Sequence, residues 1–382
     1  MKEIELYVHI PFCVRKCNYC DFLSAQSNTE TRERYINTLV KEICSSGSLL
    51  KEYEVTSIFF GGGTPSLLSK EQIGKVMAAL KEIANIKQDC EITIECNPGT
   101  INKELLETYK KLGINRLSFG LQSANQEELK LLGRIHTYEQ FVQNFNFARQ
   151  CGFTNINVDL MSALPRQTLE TYEATLRKVI DLEPEHISSY SLIIEEGTKF
   201  WNLYGEGKER EHDLPSLELD RIMYERSKEI LQEAGYERYE ISNYAKTAFE
   251  CKHNIGYWKR VEYLGFGLGA ASLFHNQRFR NEEDLTSYLH KVNANHSILK
   301  DIRNLTKKEA MEEFMFLGLR MCKGIDKLRF LHNFEVPIEE VYGAVFQKLK
   351  KESVLEEDGS FIKLTDYGID VSNVVLAEFL ID

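Results

Sequence analysis

Cys13, Cys17 and Cys20 stand within eight residues of one another in the spacing Cys-x3-Cys-x2-Cys. Thiolates this close in one loop can converge on a single inorganic centre, whereas a structural zinc ion ordinarily takes four ligands. The fourth is missing locally. An iron–sulfur cubane held by three cysteines leaves one iron open, a vacancy suited to a substrate or cofactor rather than to simple electron transfer. Phe12, Tyr19 and Phe22 interleave with the thiols and can shield such a centre from water. The alternative is a zinc site completed by His9 or by a distant cysteine. The other six cysteines, Cys44, Cys90, Cys96, Cys151, Cys251 and Cys322, are scattered and read mostly as small core hydrophobes. Nine is an odd number, and the MKEIELYVHI start lacks the pattern of a secretory signal, so a disulfide framework is not expected.

Further groups suited to a ligand recur along the chain. Gly61-Gly62-Gly63-Thr64-Pro65 follows a buried-looking run, and glycines there let the backbone approach a bound molecule. An ordinary tight turn is the plainer reading. Arg134, in LLGRIHT, carries the forked geometry that suits a carboxylate, and Asp159, in NVDLM, suits a sugar hydroxyl or a cation.

These residues need a frame that brings them together. Short β-rich runs at Leu6–Ile10, Ser57–Phe60, Glu91–Glu95, Arg116–Gly120, Asn155–Leu160 and His186–Ile193 alternate with helical periodicity at Arg32–Cys44, Lys70–Ile83, Lys103–Leu112, Tyr138–Cys151 and Leu169–Leu182. Such alternation needs crossover connections and gives a parallel sheet, as a complete or partial α/β barrel or a doubly wound sheet. Cys13 follows the first run, Gly61 the second and Gln122 the fourth; Glu95 ends the third and Asp159 lies near the end of the fifth. In (β/α) barrels that face carries the active site, so the barrel is favoured.

A long amphipathic helix at about Ser216–Ala234 leads into a β-like Tyr236–Ser242 and a glycine-rich Leu264–Ser272, near which the barrel is expected to end. From Thr306 the order is helix (Lys307–Arg320), helix (Ile338–Lys351) and a hairpin at Val354–Leu364 turning on Asp358-Gly359, which predicts a small winged-helix-like α+β domain. The expected division is thus 1–242 for the barrel, 243–305 for a connecting segment and 306–382 for the C-terminal domain. The formal charge of −11 argues against nonspecific nucleic-acid binding and for a structural cap in that last domain. A hydrophobic content of 43% can bury a large core. No run approaches the roughly 20 apolar residues of a membrane span, so a cytoplasmic protein without an integral membrane segment is expected. Peripheral membrane contact stays open.

Taken together, the cysteine spacing, glycine run and ordered polar residues resemble the radical S-adenosylmethionine superfamily. Its members hold a 4Fe-4S cluster on such a motif, bind S-adenosylmethionine on the open iron and cleave its sulfonium to a 5′-deoxyadenosyl radical. The resemblance implies that Cys13, Cys17 and Cys20 hold the cluster and that the glycine segment receives the methionine amino group. Glu95, in IECNPGT, and Gln122, in FGLQSA, would serve ribose or methionine. Nearly the whole chain resembles the oxygen-independent coproporphyrinogen III dehydrogenase group, and within it the HemW-like heme chaperones. The strings YVHIPFCVRKCNYCDF, FFGGGTPSLL, RLSFGLQS, LLGRIHT, PEHISSYSLIIEEGT, YERYEISNYA and ECKHNIGYW carry the likeness. By position, Tyr7, Tyr19, Gly62, Gly63, Thr64, Glu95, Gln122, Arg134 and Asp159 match that group's S-adenosylmethionine contacts.

Two features separate the branches. The dehydrogenase pattern has a further cysteine two residues after the third ligand, where this chain has Phe22, and it has an extension before the first strand, where this chain has five residues before Leu6. His253-Asn254-Ile255-Gly256-Tyr257-Trp258 matches the HNxxYW motif of the chaperone branch. An imidazole with adjacent aromatics can ligate heme iron and cover a porphyrin face, so His253, Tyr257 and Trp258 are candidate heme contacts, with Cys251 and Tyr257 as alternative axial ligands. The plainer reading has His253 satisfying a loop hydrogen bond and Trp258 packing between domains. The family strings are broken at Cys96, which replaces an alanine, at Ala124, which replaces an aromatic, and at Ala163 and Arg166, which replace glycines. Cys96 reads as a core thiol. The function implied is binding heme and passing it to acceptor proteins, with an electron donor such as flavodoxin or ferredoxin. The rival is oxidative decarboxylation of coproporphyrinogen III in porphyrin biosynthesis, and a third reading is another tetrapyrrole-modifying activity.

Overall fold

In the computed structural model, which describes residues 1–381, six parallel strands follow one another in both sequence and space. They are β1 (Lys2–Ile10), β2 (Tyr53–Gly62), β3 (Asn85–Cys96), β4 (Arg116–Gln122), β5 (Ile156–Ser162) and β6 (His186–Ser191). Their crossovers carry helices Thr29–Ser45, Lys70–Ile83, Lys103–Leu112, Tyr138–Gln150 and Leu169–Ile180. Asn28, Ser69, Asn102, Thr137 and Thr168 start these helices by accepting the backbone N–H three residues on. Alternate strand residues such as Ile4, Leu6, Val8, Ile58, Phe60, Leu117 and Val158 are fully buried in one core with Leu39, Val76, Leu80 and Leu106 of the helices. The intervening residues, among them Glu5, Ser57, Glu91, Arg116, Asn157 and His186, are polar yet also buried. With period-two alternation this gives an apolar outer face under the helices and a polar inner face.

Six strands spaced about 4.8 Å apart would spread over about 24 Å if flat. Yet residues at or just beyond the C-terminal ends of all six border one cavity of about 530 Å³. The sheet therefore curls into the expected partial barrel. It also extends further than the sequence pattern indicates. On the β6 edge lie β7 (Glu237–Arg238) and β8 (Asn243–Ala245), an antiparallel pair in place of the single strand expected at Tyr236–Ser242. On the other edge β9 (Tyr263–Phe266) runs parallel to β1, and β10 (Ala271–Phe274), β11 (Gln277–Asn281) and β12 (Leu299–Asn304) continue antiparallel beyond it. The glycine-rich stretch Leu264–Ser272 itself supplies most of β9, whose pairing covers the edge of β1 that would otherwise be open. Helices Gln126–Leu132, Lys199–Tyr204 and Lys252–Trp258 were not evident from periodicity, since six or seven residues are too few for it.

Helix Lys252–Trp258 lies inside the barrel, below the cavity. The Glu91 carboxylate on β3 accepts the Lys252 and His253 amides at 3.1 and 3.2 Å and the Cys251 thiol at 3.4 Å. Gly256 lies so close to β1 that a Cβ there would fall 1.9 Å from Glu5 Oε1. The C-terminal unit has its own core of Phe314, Phe330, Phe334, Tyr342, Phe346 and Ile362. Helices Lys307–Gly318 and Ile338–Lys351 and the hairpin of β14 (Leu355–Asp358) and β15 (Phe361–Leu364) follow the expected order. A further helix, Lys327–Phe334, and β13 (Ile325–Asp326) intervene, and β13-β15-β14 form an antiparallel sheet. Among the described residues no helix is long and apolar enough to cross a membrane.

Two stability outcomes follow from the backbone. Gly256→Ala should cost about 1–3 kcal/mol by overpacking against Glu5, with part of the loss restored in the Glu5→Ala/Gly256→Ala double variant; thermal melting of the four proteins measures both. Ala163, just past β5, holds φ +56° and Arg166 φ +64°, in the left-handed region that favours glycine. Left-handed backbone costs an L-residue about 1–2 kcal/mol, against glycine's greater entropy loss of about 0.5–1 kcal/mol. Ala163→Gly should therefore raise stability by about 0.5–1 kcal/mol. Arg166→Gly should gain less, because its side chain pairs with Asp213 at 2.9 Å.

Candidate functional site

The loop after β1 carries the three cysteines and is pinned from several sides. Phe12 is buried edge-on against Tyr35, with ring centroids 5.1 Å apart. The Cys13 amide donates to the Ala25 carbonyl at 3.0 Å, and Asn18 donates to the Leu131 and Leu132 carbonyls at 2.9 Å. All three cysteines border the cavity. Thr64 Oγ1 donates to Cys13 Sγ at 3.6 Å and Arg134 Nη1 to Cys17 Sγ at 3.4 Å, while burial pushes the Cys20 thiol up to about 11. Among the described residues no three His, Cys, Asp or Glu side chains gather as a site for a single metal ion. The thiols instead share an open chamber.

The glycine run is dictated by this loop. A Cβ on Gly63 would lie 2.7 Å from the Phe12 carbonyl oxygen, and one on Gly62, at φ +111°, would lie 2.4 Å from the His9 ring. With no side chains there, the Gly62 amide is free to donate to Glu95 Oε2 at 3.1 Å. Gln122 holds φ +73° where the β4–β5 register slips, a strained conformation at the cavity wall. Its Oε1 accepts the Tyr190 hydroxyl at 3.0 Å.

Charge in the chamber is unbalanced. Burial, reinforced by the charge of Asp159, raises Glu95 to about 8, and burial raises Asp159 as well. Arg116 and Arg134 both act on Asp159, and Arg134 is the one that borders the cavity. Its Nη2 donates to Asn97 Oδ1 at 2.6 Å and to the Gly120 carbonyl, but its buried Nε has no partner. Two acids short of a cation and a guanidinium short of an acceptor fit an amino-acid zwitterion bearing a sulfonium, and three thiols beside them fit an iron–sulfur cluster.

The structure brings Cys13, Cys17, Cys20, Tyr19, Gly62, Gly63, Thr64, Glu95, Gln122, Arg134 and Asp159 to one cavity. Tyr7 does not border it: its hydroxyl pairs with His9 Nδ1 at 2.9 Å and its ring lies beside Phe59. Cys96 borders the cavity but is 1% exposed, its thiol donating to the Ile94 carbonyl as a core thiol would. The expected heme contacts are not on an open surface. His253 is 2% exposed, with Nδ1 2.7 Å from Ser57 Oγ, Nε2 3.0 Å from the Tyr257 hydroxyl, and the Phe59 ring stacked on it. Cys251 is wholly buried on Glu91, and Trp258 packs under the Arg320 guanidinium, 4.5 Å from its ring. In this conformation neither His253 nitrogen is available to iron, because the motif is folded inward. In this structure the motif forms the floor of the barrel.

Among the cavity residues that sequence patterns do not single out are Asn97, Ser118, Ser188 and Tyr190. Asn97 braces two of those identified, donating to Thr64 Oγ1 at 2.7 Å while accepting from Arg134. Its position directly after Glu95-Cys96 at the end of β3 was the available signal.

The raised Glu95 has a measurable consequence. A carboxyl whose native pKa lies near 8 and whose unfolded pKa lies near 4.5 binds more protons when folded. Its contribution is full below about 4.5 and is lost as pH rises through about 8. In cofactor-free protein, denaturant titrations at pH 5 and pH 8.5 should show Glu95→Gln gaining stability relative to wild type at the higher pH. A pH-independent difference would refute the shift.

Comparison with known proteins agrees with this geometry. The profile of the Radical SAM superfamily matches residues 7–179, and that of the HemN C-terminal domain matches residues 305–371. The heme chaperone HemW of Lactococcus lactis is 36% identical over 381 residues, covering 100% of this chain and 98% of the relative. The heme chaperone HemW of Bacillus subtilis is 36% identical over 375 residues, covering 98% of each. The solved structure of coproporphyrinogen III oxidase (HemN) from Escherichia coli superimposes with a TM-score of 0.86 at 25% identity, over 99% of this chain and 90% of that one. The chain belongs to the radical S-adenosylmethionine superfamily, in the family of the HemW heme chaperones.

Proposed function

We propose that this protein is a heme chaperone that binds heme and passes it to acceptor proteins in the cytoplasm, with a 4Fe-4S cluster and S-adenosylmethionine in its barrel. The observation that carries this reading is end-to-end similarity to heme chaperones, including the Cys-x3-Cys-x2-Cys and HNxxYW strings. Cys13, Cys17 and Cys20 would hold the cluster, which when bound and reduced by a flavodoxin- or ferredoxin-like donor supplies the electron that cleaves the sulfonium. Arg134 would orient the methionine carboxylate with its fork, braced by Asn97. Glu95 would take the ammonium, giving up its proton as the cation arrives. Gly62, Gly63 and Thr64 would flank the methionine end, and Gln122 and Asp159 the ribose. Residues 1–242 would carry these cofactors, 243–305 the floor and far edge strands, and 306–382 the capping domain. A ligand that binds two conformations unequally shifts their populations, so cofactor occupancy can gate heme release.

The likeness in fold to coproporphyrinogen III oxidase favours a second reading, decarboxylation of that porphyrinogen. Phe22 weighs against it, because it stands where the dehydrogenase pattern has a further cysteine. Anaerobic reconstitution with iron and sulfide, followed by separate additions of heme and coproporphyrinogen III, distinguishes the two. Saturable heme binding with coproporphyrinogen left unchanged is expected. Formation of protoporphyrinogen, or no heme binding, would overturn the chaperone reading. His253→Ala should leave the heme absorption spectrum unchanged and lower the melting temperature, as a floor residue rather than an iron ligand.

A further inference from the structure

Asp159 is the end of a hydrogen-bond chain that reaches across the barrel interior to the HNxxYW helix. Asn157 Nδ2 donates to Asp159 Oδ1 at 2.7 Å, and Asn157 Oδ1 lies 2.6 Å from His186 Nδ1. His186 Nε2 lies 2.8 Å from the Tyr239 hydroxyl, which accepts the Cys251 amide at 3.3 Å. Asn157 is a hub: its Nδ2 also donates to Ser118 Oγ at 2.8 Å and its Oδ1 also accepts from Ser188 Oγ at 3.2 Å. Ser118 Oγ in turn reaches Asp159 Oδ2 at 3.5 Å. His186 is wholly buried and Asn157 nearly so.

One group fixes the direction of every bond. Asn157 turns its amide nitrogen to Asp159 and therefore its oxygen to His186. His186 must then carry its proton on Nδ1 and accept on Nε2. Tyr239 must donate to Nε2, which leaves its lone pairs for the Cys251 amide. Burial, with the charge of Arg116, holds His186 well below the usual histidine range, which keeps the single-proton tautomer this order requires. The same helix also reaches the cavity directly, through Asn254.

We propose that Asn157, His186 and Tyr239 are positioning residues for the cofactor site, locking the Asp159 carboxylate in the orientation that meets the nucleoside part of a sulfonium nucleotide. This rests on the reading above that Asp159 faces S-adenosylmethionine. The HNxxYW helix thereby serves the cofactor chamber from beneath: it anchors the far end of the chain through the Cys251 amide.

The test is S-adenosylmethionine affinity by calorimetry on anaerobically reconstituted full-length protein, with the paramagnetic resonance spectrum of the reduced cluster recorded with and without the nucleotide. Iron content, sulfide content and melting temperature report folding. His186→Phe, which keeps a planar ring without donor or acceptor, should weaken binding about tenfold and diminish the nucleotide-induced spectral change. His186→Asn, whose amide can replace the Nδ1 donor, should stay within about threefold of wild type. Tyr239→Phe removes one oxygen and should weaken binding about threefold, which keeps the proposal testable if His186→Phe fails to fold. Wild-type affinity and spectrum in both His186→Phe and Tyr239→Phe would overturn the relay, as would equal loss in His186→Asn and His186→Phe. Asp159→Asn separates the two levels. If it too binds like wild type, the placement of the nucleotide at Asp159 fails and the relay with it; if it binds weakly while the relay variants do not, only the relay fails.

Discussion

Burial raises the proton affinity of both Glu95 and Asp159, and the charge of Asp159 raises Glu95 further, beside a guanidinium that lacks a partner for Nε. Arg116, Arg134 and Asn157 favour the charged form of Asp159, while Glu95 has only the Gly62 amide. Desolvation makes an unpaired buried charge costly, so such a chamber is least unfavourable when a ligand of matching charge fills it. The surrounding structure is arranged to keep that geometry fixed. Asn97 ties Arg134 to Thr64, the Gly62 amide holds Glu95, and Asn157 holds Asp159.

The curl of the sheet makes this convergence workable. Polar residues on the inner face of each strand would be exposed side by side on a flat sheet; curled, they face one another and satisfy each other across strands. Upper positions form the chamber with the cysteine loop. Lower positions, Glu5, Ser57 and Glu91, grip the helix Lys252–Trp258, which fills the interior that small barrels otherwise fill with layers of strand side chains.

This arrangement recasts the HNxxYW string. Its histidine is neutral, with its pKa lowered to about 3 chiefly by burial, and both nitrogens are engaged within the fold. Its glycine neighbour Gly256 is required by contact with Glu5, its asparagine reaches the chamber, and its tryptophan meets Arg320 of the C-terminal unit. A short motif thus joins floor, cofactor chamber and cap.

Sequence by itself determined whatever depends on neighbours along the chain. The cysteine spacing, the strand–helix alternation and the polar residues at successive strand ends are local patterns, and the fold converts them directly into one rim. Periodicity put four helix starts, Lys70, Lys103, Tyr138 and Leu169, where the structure has them, while the first helix begins at Thr29 rather than Arg32. Tertiary structure decided what depends on partners distant in sequence. The type of His253 suits an iron ligand, but the fold sets Ser57, 196 residues away, against its Nδ1. Tyr7 matched a cofactor contact by position, but its hydroxyl turned to His9. The pairing of β9 with β1 and the role of Asn97 and Tyr190 left little trace in periodicity. Burial and hydrogen-bond satisfaction are properties of a folded environment, and they decide whether a reactive side chain faces a ligand or the protein itself.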